Sequence, residues 1–131
     1  MSEEATTAER ELFAGLYAAF NARDIPTTLR AMHVDVEWPN GMEGGYLYGH
    51  AAVRSYWTRQ WVLLNPHVEP IRFSVDTDGW VVLDVHQVVR DLAGAIIVDQ
   101  IVRHAYRIEA GLIRRMEIRP DPAGVEGPGE S

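Results

Sequence analysis

Four residues in the second half of this 131-residue chain carry the side chains of an acid/base site: Asp84, His86, Gln100 and His104. Asp84 and His86 alternate on what reads as one strand, so their side chains point the same way, roughly 7 Å apart at Cα. A nearby carboxylate raises an imidazole's pKa and orients its ring, as general acid/base catalysis requires. Gln100, across the strand, would hold a substrate carbonyl or a water. His104 would serve as a second acid/base, or as an electrophile stabilising an enolate oxygen. Against this stands a plainer reading, a polar network that satisfies only itself, since buried polar groups are paired whatever they do. Two histidines and an aspartate also suffice for a metal triad, but their spacing does not demand one. No metal or cofactor is expected.

Whether these residues share a face depends on three turns. Asp78-Gly79, Asp91-Leu92-Ala93-Gly94 and Glu109-Ala110-Gly111 each separate apolar, β-branched runs and together describe an antiparallel meander. Asp-Gly suits a two-residue primed hairpin, which needs φ > 0 at both central residues. It pairs Thr77 with Trp80, and so Val75 with Val82, Phe73 with Asp84 and Ile71 with His86. Ala93 takes a left-handed conformation only at a cost, so Gly94 alone should, in a three-residue loop with a glycine bulge. That pairs Asp91 with Ala95, His86 with Gln100, Asp84 with Val102 and Val82 with His104. The same logic at Glu109-Ala110-Gly111 pairs Ile108 with Leu112 and His104 with Met116. The inner face then carries Asp84, His86, Gln100, His104, Met116 and Ile118. The outer face carries Leu83, Val85, Val89, Ile97 and Ile101. A one-residue slip at any turn exchanges the sets.

The rest of the chain must hold that meander. Leu12, Phe13, Leu16, Tyr17 and Phe20 follow helical spacing from about Thr7, and Asn21-Ala22-Arg23-Asp24 ends the helix. Pro26 suits the first turn of a second, short helix. Val34–Trp38 reads as a strand broken by Pro39-Asn40-Gly41, and Tyr46-Leu47-Tyr48 as its return. A third helix runs from about Ala51 to Leu64, with Val53, Trp57 and Trp61 on one stripe. Trp38, Tyr48, Trp57 and Trp61 would line an aromatic pocket for a planar ligand, although Trp57 and Trp61 at i, i+4 also suit a plain core. Asn40, between Pro39 and Gly41, is either a pocket polar group or an Asx-type turn. The expected organisation is a flexible N-terminus (1–6), one α+β domain (7–119) and a Pro/Gly/Glu-rich disordered tail (120–131).

Composition narrows the functions. The net charge of −7 argues against nucleic acid, which needs a basic stripe. All twelve basic residues are Arg, so lysine Schiff-base chemistry is excluded, and the absence of Cys excludes thiolate chemistry and disulfides. There is no apolar run long enough for a membrane span and no signal-peptide pattern, so a cytoplasmic protein is expected.

The element order and several strings resemble the nuclear transport factor 2-like superfamily, in its SnoaL-like and ketosteroid isomerase-like branch. The carrying residues are Tyr17 to Asp24, His33 to Trp38, Tyr48 to Trp57, His104 to Ile108 and Gly111 to Ile113. The resemblance covers about residues 8–118. It implies a cone-shaped α+β barrel, with a curved antiparallel sheet wrapped around three helices and a deep pocket between them. It also implies homodimerisation through the convex sheet face. That agrees with the turns, because an exposed Leu83, Val85, Val89, Ile97 and Ile101 would be a costly patch unless a second subunit covered it.

Carried over by position, the resemblance to ketosteroid isomerase is poor at the reacting groups. Its general-base Asp falls on Asn40, which cannot abstract a proton. Its oxyanion-hole Tyr falls near Leu16, one residue from Tyr17, and its oxyanion-hole Asp falls on His104. Epoxide hydrolase-like relatives imply Trp38-Pro39-Asn40 and Asp84-Val85-His86 as parts of a water-activating site, incomplete at Ile118. Scytalone dehydratase-like relatives imply pocket histidines near His86 and His67.

The expected function is a cofactor-independent lyase or isomerase, catalysing cyclisation, dehydration or double-bond migration on an apolar polyketide- or terpenoid-like molecule. His86 would be the acid/base and Asp84 its orienter. His104, Gln100 and Asn40 would polarise a substrate oxygen, with Tyr17, Trp38, Tyr48, Trp57 and Met116 lining the pocket. The alternatives are a non-catalytic ligand-binding or dimerisation module and an epoxide hydrolase-like hydrolase.

Overall fold

The apolar stripe of the first segment winds it into α1 (Thr7–Asn21), which buries Phe13, Leu16, Tyr17 and Ala19. A computed structural model describes residues 7–119. The expected flexible N-terminus and disordered tail lie outside the described residues. Just beyond α1, Arg23 has a φ of 62°. Arg23 N donates to Phe20 O (3.0 Å) and Asp24 N to Ala19 O (2.8 Å), a Schellman closure that glycine usually makes. The strain of a left-handed arginine, about 1–2 kcal/mol, is offset by its guanidinium. That group donates to Pro66 O at 2.7 Å and to the Asn65 side chain, and lies 4.9 Å over the Trp61 ring. Asp24 then caps α2 (Ile25–Arg30), its carboxylate accepting from Thr27 N.

The remaining elements are β1 (Met32–Pro39), β2 (Tyr46–Tyr48), α3 (His50–Leu63), β3 (Asn65–Val75), β4 (Val81–Arg90), β5 (Ile96–Glu109) and β6 (Leu112–Arg119). They give the expected α+β architecture, a six-stranded sheet in the order β2-β1-β6-β5-β4-β3. The sheet stays open rather than closing into a barrel, and β1–β6 is parallel where the other neighbours are antiparallel. Helices and inner sheet face share one core that includes Phe13, Trp57, Leu83, Tyr106 and Ile113. Edge strand β3 is covered at Val68, where Asn21 mimics a strand partner. Its amide donates to Val68 O (2.8 Å) and accepts from Val68 N (3.0 Å). None of the described helices is long and apolar enough to cross a membrane.

The register of β4 departs from the expected one. Asp76, not Thr77, closes the first turn. Its backbone N donates to Trp80 O, and its Oδ1 accepts from Asp78 N (2.9 Å) and Trp80 N (3.0 Å). The loop is therefore three residues long, with Gly79 left-handed, and Val75 pairs with Val81. At the second turn Asp91 pairs with Ala95 as expected, but a bulge at Val89/Arg90 shifts the ladder. Leu83 then lies opposite His104, Val85 opposite Val102 and Gln87 opposite Gln100. Asp84 and His86 consequently belong to the outer face. Leu83, Val85 and Val89, expected outside, are buried inside. The third turn takes two residues, Ala110 and Gly111, both with positive φ. With a further bulge at Arg107/Ile108, Met116 lies opposite Tyr106 and Ile118 opposite His104. The offset from expectation is two residues, so β6 keeps its face.

Candidate functional site

Between α1, α3 and the inner face of the sheet lies a cavity of about 230 Å³. Ligand pockets usually span roughly 300–1,000 Å³, so this one suits a molecule of about two fused rings rather than a large polycycle. Trp38 and Trp57 meet edge to face (centroids 5.6 Å, 85°) and form an apolar wall with Met116. α3 brings Trp57 to this wall because Val53, Tyr56 and Trp57 are its buried stripe.

The polar cluster faces the cavity from α1 and β5. Tyr17 Oη lies 2.6 Å from Nδ1 of His104 and 2.7 Å from Oη of Tyr106. All three residues are buried, and all three line the cavity. His104 and Tyr106 reach it together because they alternate on β5. Burial dominates their protonation. It lowers the His104 imidazole from the usual 6.5 to about 4, and it pushes both Tyr17 and Tyr106 hydroxyls up. At neutral pH the cluster is thus an uncharged hydrogen-bonded chain. Nδ1 is the His104 nitrogen with a protein partner, while Nε2 has no hydrogen bond to any described residue. A second polar group lies nearer the 40–45 loop, where Tyr56 Oη accepts from Gly41 N and Gln60 Nε2, both at 3.1 Å.

Of the residues expected to form the site, His104, Tyr17, Trp38, Trp57 and Met116 line the cavity. The others do not. Asp84 points outward and binds Arg103 at 2.9 Å, with Arg72 at 3.7 Å. His86 pairs with Asp99 across the outer surface, Nε2 to Oδ1 at 2.7 Å. The Asp84–His86 couple therefore does not form. Asn40 adopts the Asx turn, its Oδ1 accepting from Met42 N and Glu43 N and its amide donating to Glu43. Tyr48 is 66% exposed. Gln100 keeps the inner face but is exposed, donating to Gln87, which is the lining residue there. His67 is exposed and near Glu69. No carboxylate lines the cavity among the described residues, so the water-activating arrangement of an epoxide hydrolase is not formed. Nor do three His, Cys, Asp or Glu side chains converge among them as a metal site needs.

Tyr106, Tyr56, Gln60 and Gln87 were not expected in the site. Tyr106 was legible in principle, because a residue two positions from His104 on a strand shares its face.

A search of curated proteins found no match. Among solved structures, TerC co-crystallised with polyporic acid is 30% identical, with 89% of this chain and 94% of that one covered and a TM-score of 0.75. An NTF2-like protein of unknown function from Burkholderia pseudomallei is 24% identical (92% and 96% covered, TM-score 0.75). RV0760c from Mycobacterium tuberculosis, in complex with estradiol-17beta-hemisuccinate, is 16% identical (90% and 97% covered, TM-score 0.73) and shares the fold. The SnoaL-like domain model matches residues 13–116. The chain belongs to the SnoaL-like domain family, within the nuclear transport factor 2-like fold.

Proposed function

We propose that this protein binds a small, flat, mostly apolar ketone-bearing molecule and moves protons on it without a cofactor. The reaction class is isomerase or lyase: double-bond migration, dehydration or cyclisation on a polyketide- or terpenoid-like compound. The observation that carries this reading is the uncharged His104–Tyr17–Tyr106 cluster at the wall of an otherwise aromatic cavity. His104 is the acid/base, since its Nε2 has no hydrogen bond to any described residue. Tyr106 holds the substrate oxygen, with Tyr17 hydrogen-bonded behind it, and the Trp38–Trp57 wall packs against the ring system. That TerC, 30% identical to this chain, was co-crystallised with polyporic acid supports a small-molecule guest. His86 and Asp84 have no part in this site.

The test is α-proton exchange on 2-tetralone, a bicyclic enolisable ketone, followed by NMR in D2O. The wild type should accelerate exchange by at least about 100-fold over buffer, in the range a positioned acid/base supplies. His104→Phe should abolish the acceleration while 2-tetralone still binds. Equal exchange by both proteins would overturn the assignment.

A second reading, a non-catalytic binding module, is favoured by the cavity cluster's pairing with itself, since the Tyr17 hydroxyl bonds both His104 and Tyr106. It predicts that 2-tetralone binds to the wild type without faster exchange.

A further inference from the structure

The proposal that follows rests on the acid/base reading of the cavity. A histidine whose charged form is suppressed by burial is a poor base if it must become an imidazolium. Two buried tyrosines are equally poor oxyanion partners if one must become a phenolate. A hydrogen-bonded chain avoids both charges if its protons shift together.

Tyr17 Oη stands between two partners but carries one proton, so it donates to one and accepts from the other. Two polarities result. In the first, His104 Nδ1–H donates to Tyr17, and Tyr17 O–H donates to Tyr106. The cluster then presents a bare Nε2 lone pair and a free Tyr106 O–H. In the second, Tyr106 O–H donates to Tyr17, and Tyr17 O–H donates to Nδ1. The cluster then presents Nε2–H and a free Tyr106 oxygen lone pair. The two end groups belong to residues that line one cavity, and Nδ1 and Tyr106 Oη lie within two hydrogen-bond lengths of each other.

We infer that His104, Tyr17 and Tyr106 form a neutral tautomeric relay for enolisable carbonyl compounds, with Tyr106 as a further catalytic residue, the acid, and Tyr17 as the positioning residue that links it to the base. In the forward step the α-carbon's proton moves to His104 Nε2, and its C–H electron pair becomes the C=C bond. The carbonyl π pair takes the Tyr106 proton, Tyr106 takes that of Tyr17, and Tyr17 takes that of Nδ1. Ketone becomes enol, and every protein group is neutral before and after. The reverse shift returns the enol proton through the tyrosines, while Nε2–H protonates the same carbon or its vinylogous neighbour. In the second case a double bond has moved.

The experiment records the 15N shifts of His104 in the wild type with two probes of nearly equal shape. The ketone 2-tetralone accepts from Tyr106, so it should select the Nδ1–H tautomer. The enol mimic 2-naphthol donates to Tyr106, so it should select Nε2–H and should stay un-ionised when bound. Tyr106→Phe should show one tautomer with either probe and lose at least about tenfold in 2-tetralone exchange. The same His104 tautomer with both probes, or 2-naphthol bound as naphtholate, would overturn the relay while leaving the acid/base reading intact if exchange persists. Failure of the wild type to bind either probe would remove that reading, and the relay with it.

Discussion

The Tyr17 hydroxyl lies 2.6 Å from His104 Nδ1 although the two residues are 87 positions apart, one on α1 and one on β5. The contact ties the first helix to the middle of the sheet through a buried polar bond, and the same hydroxyl meets Tyr106 at 2.7 Å. Tyr17→Phe removes both bonds and leaves Nδ1 and the Tyr106 hydroxyl without these partners in an apolar setting. An orphaned buried polar group costs about 1–3 kcal/mol. The variant should therefore lose roughly 2–4 kcal/mol in urea unfolding, in the range expected for two such groups partly relieved by cavity water. A loss below about 0.5 kcal/mol would mean that the cluster contributes little to stability.

The neutral state of His104 makes stability depend on pH. Its folded pKa, about 4, lies below the usual 6.5, so the unfolded chain binds more protons between those values. Stability is then full above about pH 6.5 and declines as pH falls towards 4, by an amount on the order of 3 kcal/mol. The carboxylates of Asp24, Glu37 and Asp76, held below their usual values, add to the loss only at the acid end of that window. Thermal unfolding of wild type and His104→Phe between pH 7 and 5 isolates the histidine. The variant should lose most of the slope there, and an unchanged slope would assign the dependence to other groups.

The fold and half of the residues expected to line the candidate cavity were legible in the sequence, and the physical reasons for the misses are specific. Period-two alternation placed His104 and Met116 correctly, and the helical stripe placed Tyr17 and Trp57. The face of β4 was lost because Asp78-Gly79 looks like a complete two-residue turn. Asp76 to Gly79 repeats the Asp-x-x-Gly spacing of Asp91 to Gly94, and in both the Asp carboxylate accepts two backbone N–H groups across the loop. A turn's length is set by such a cap as much as by its glycine. The alternation of β4 itself favours the observed face, since Val81, Leu83, Val85, Gln87 and Val89 are a more apolar set than Val82, Asp84, His86, Val88 and Arg90. The bulges at Val89/Arg90 and Arg107/Ile108 carry no comparable residue signature.

The cap can be weighed directly. Asp76 also accepts from Arg119 at 3.1 Å, which fastens the turn to β6. Asp76→Ala removes both loop bonds and this pair, and should cost about 1–2 kcal/mol, comparable to the loss of a helix cap. Asp76→Asn keeps an acceptor for the loop and should recover more than half of that in the same unfolding assay. Equal losses for the two variants would place the stabilisation in the ion pair with Arg119 instead.

The outer face of the sheet supports a proposal about assembly. With Leu83, Val85 and Val89 turned inward, the apolar patch first expected there shrinks. Ile97 and Ile101 remain 52% and 38% exposed on β5, and His86 lies directly opposite Ile101 in the ladder. A homodimer through this face would cover the isoleucines and exclude water from the His86–Asp99 pair, 2.7 Å apart. An exposed pair of this kind is worth about 0–1 kcal/mol, and more once desolvated and hydrogen-bonded. Ile101→Glu places a second carboxylate beside Asp99 in the middle of the face and should shift sedimentation from dimer towards monomer at least tenfold in dissociation constant. His86→Ala should weaken the dimer less, and should leave 2-tetralone exchange within twofold of wild type because its side chain is outside the cavity. A monomeric wild type would remove the interface. A large loss of exchange in His86→Ala, with the dimer intact, would instead require a path from the outer face to the cavity that this packing does not provide.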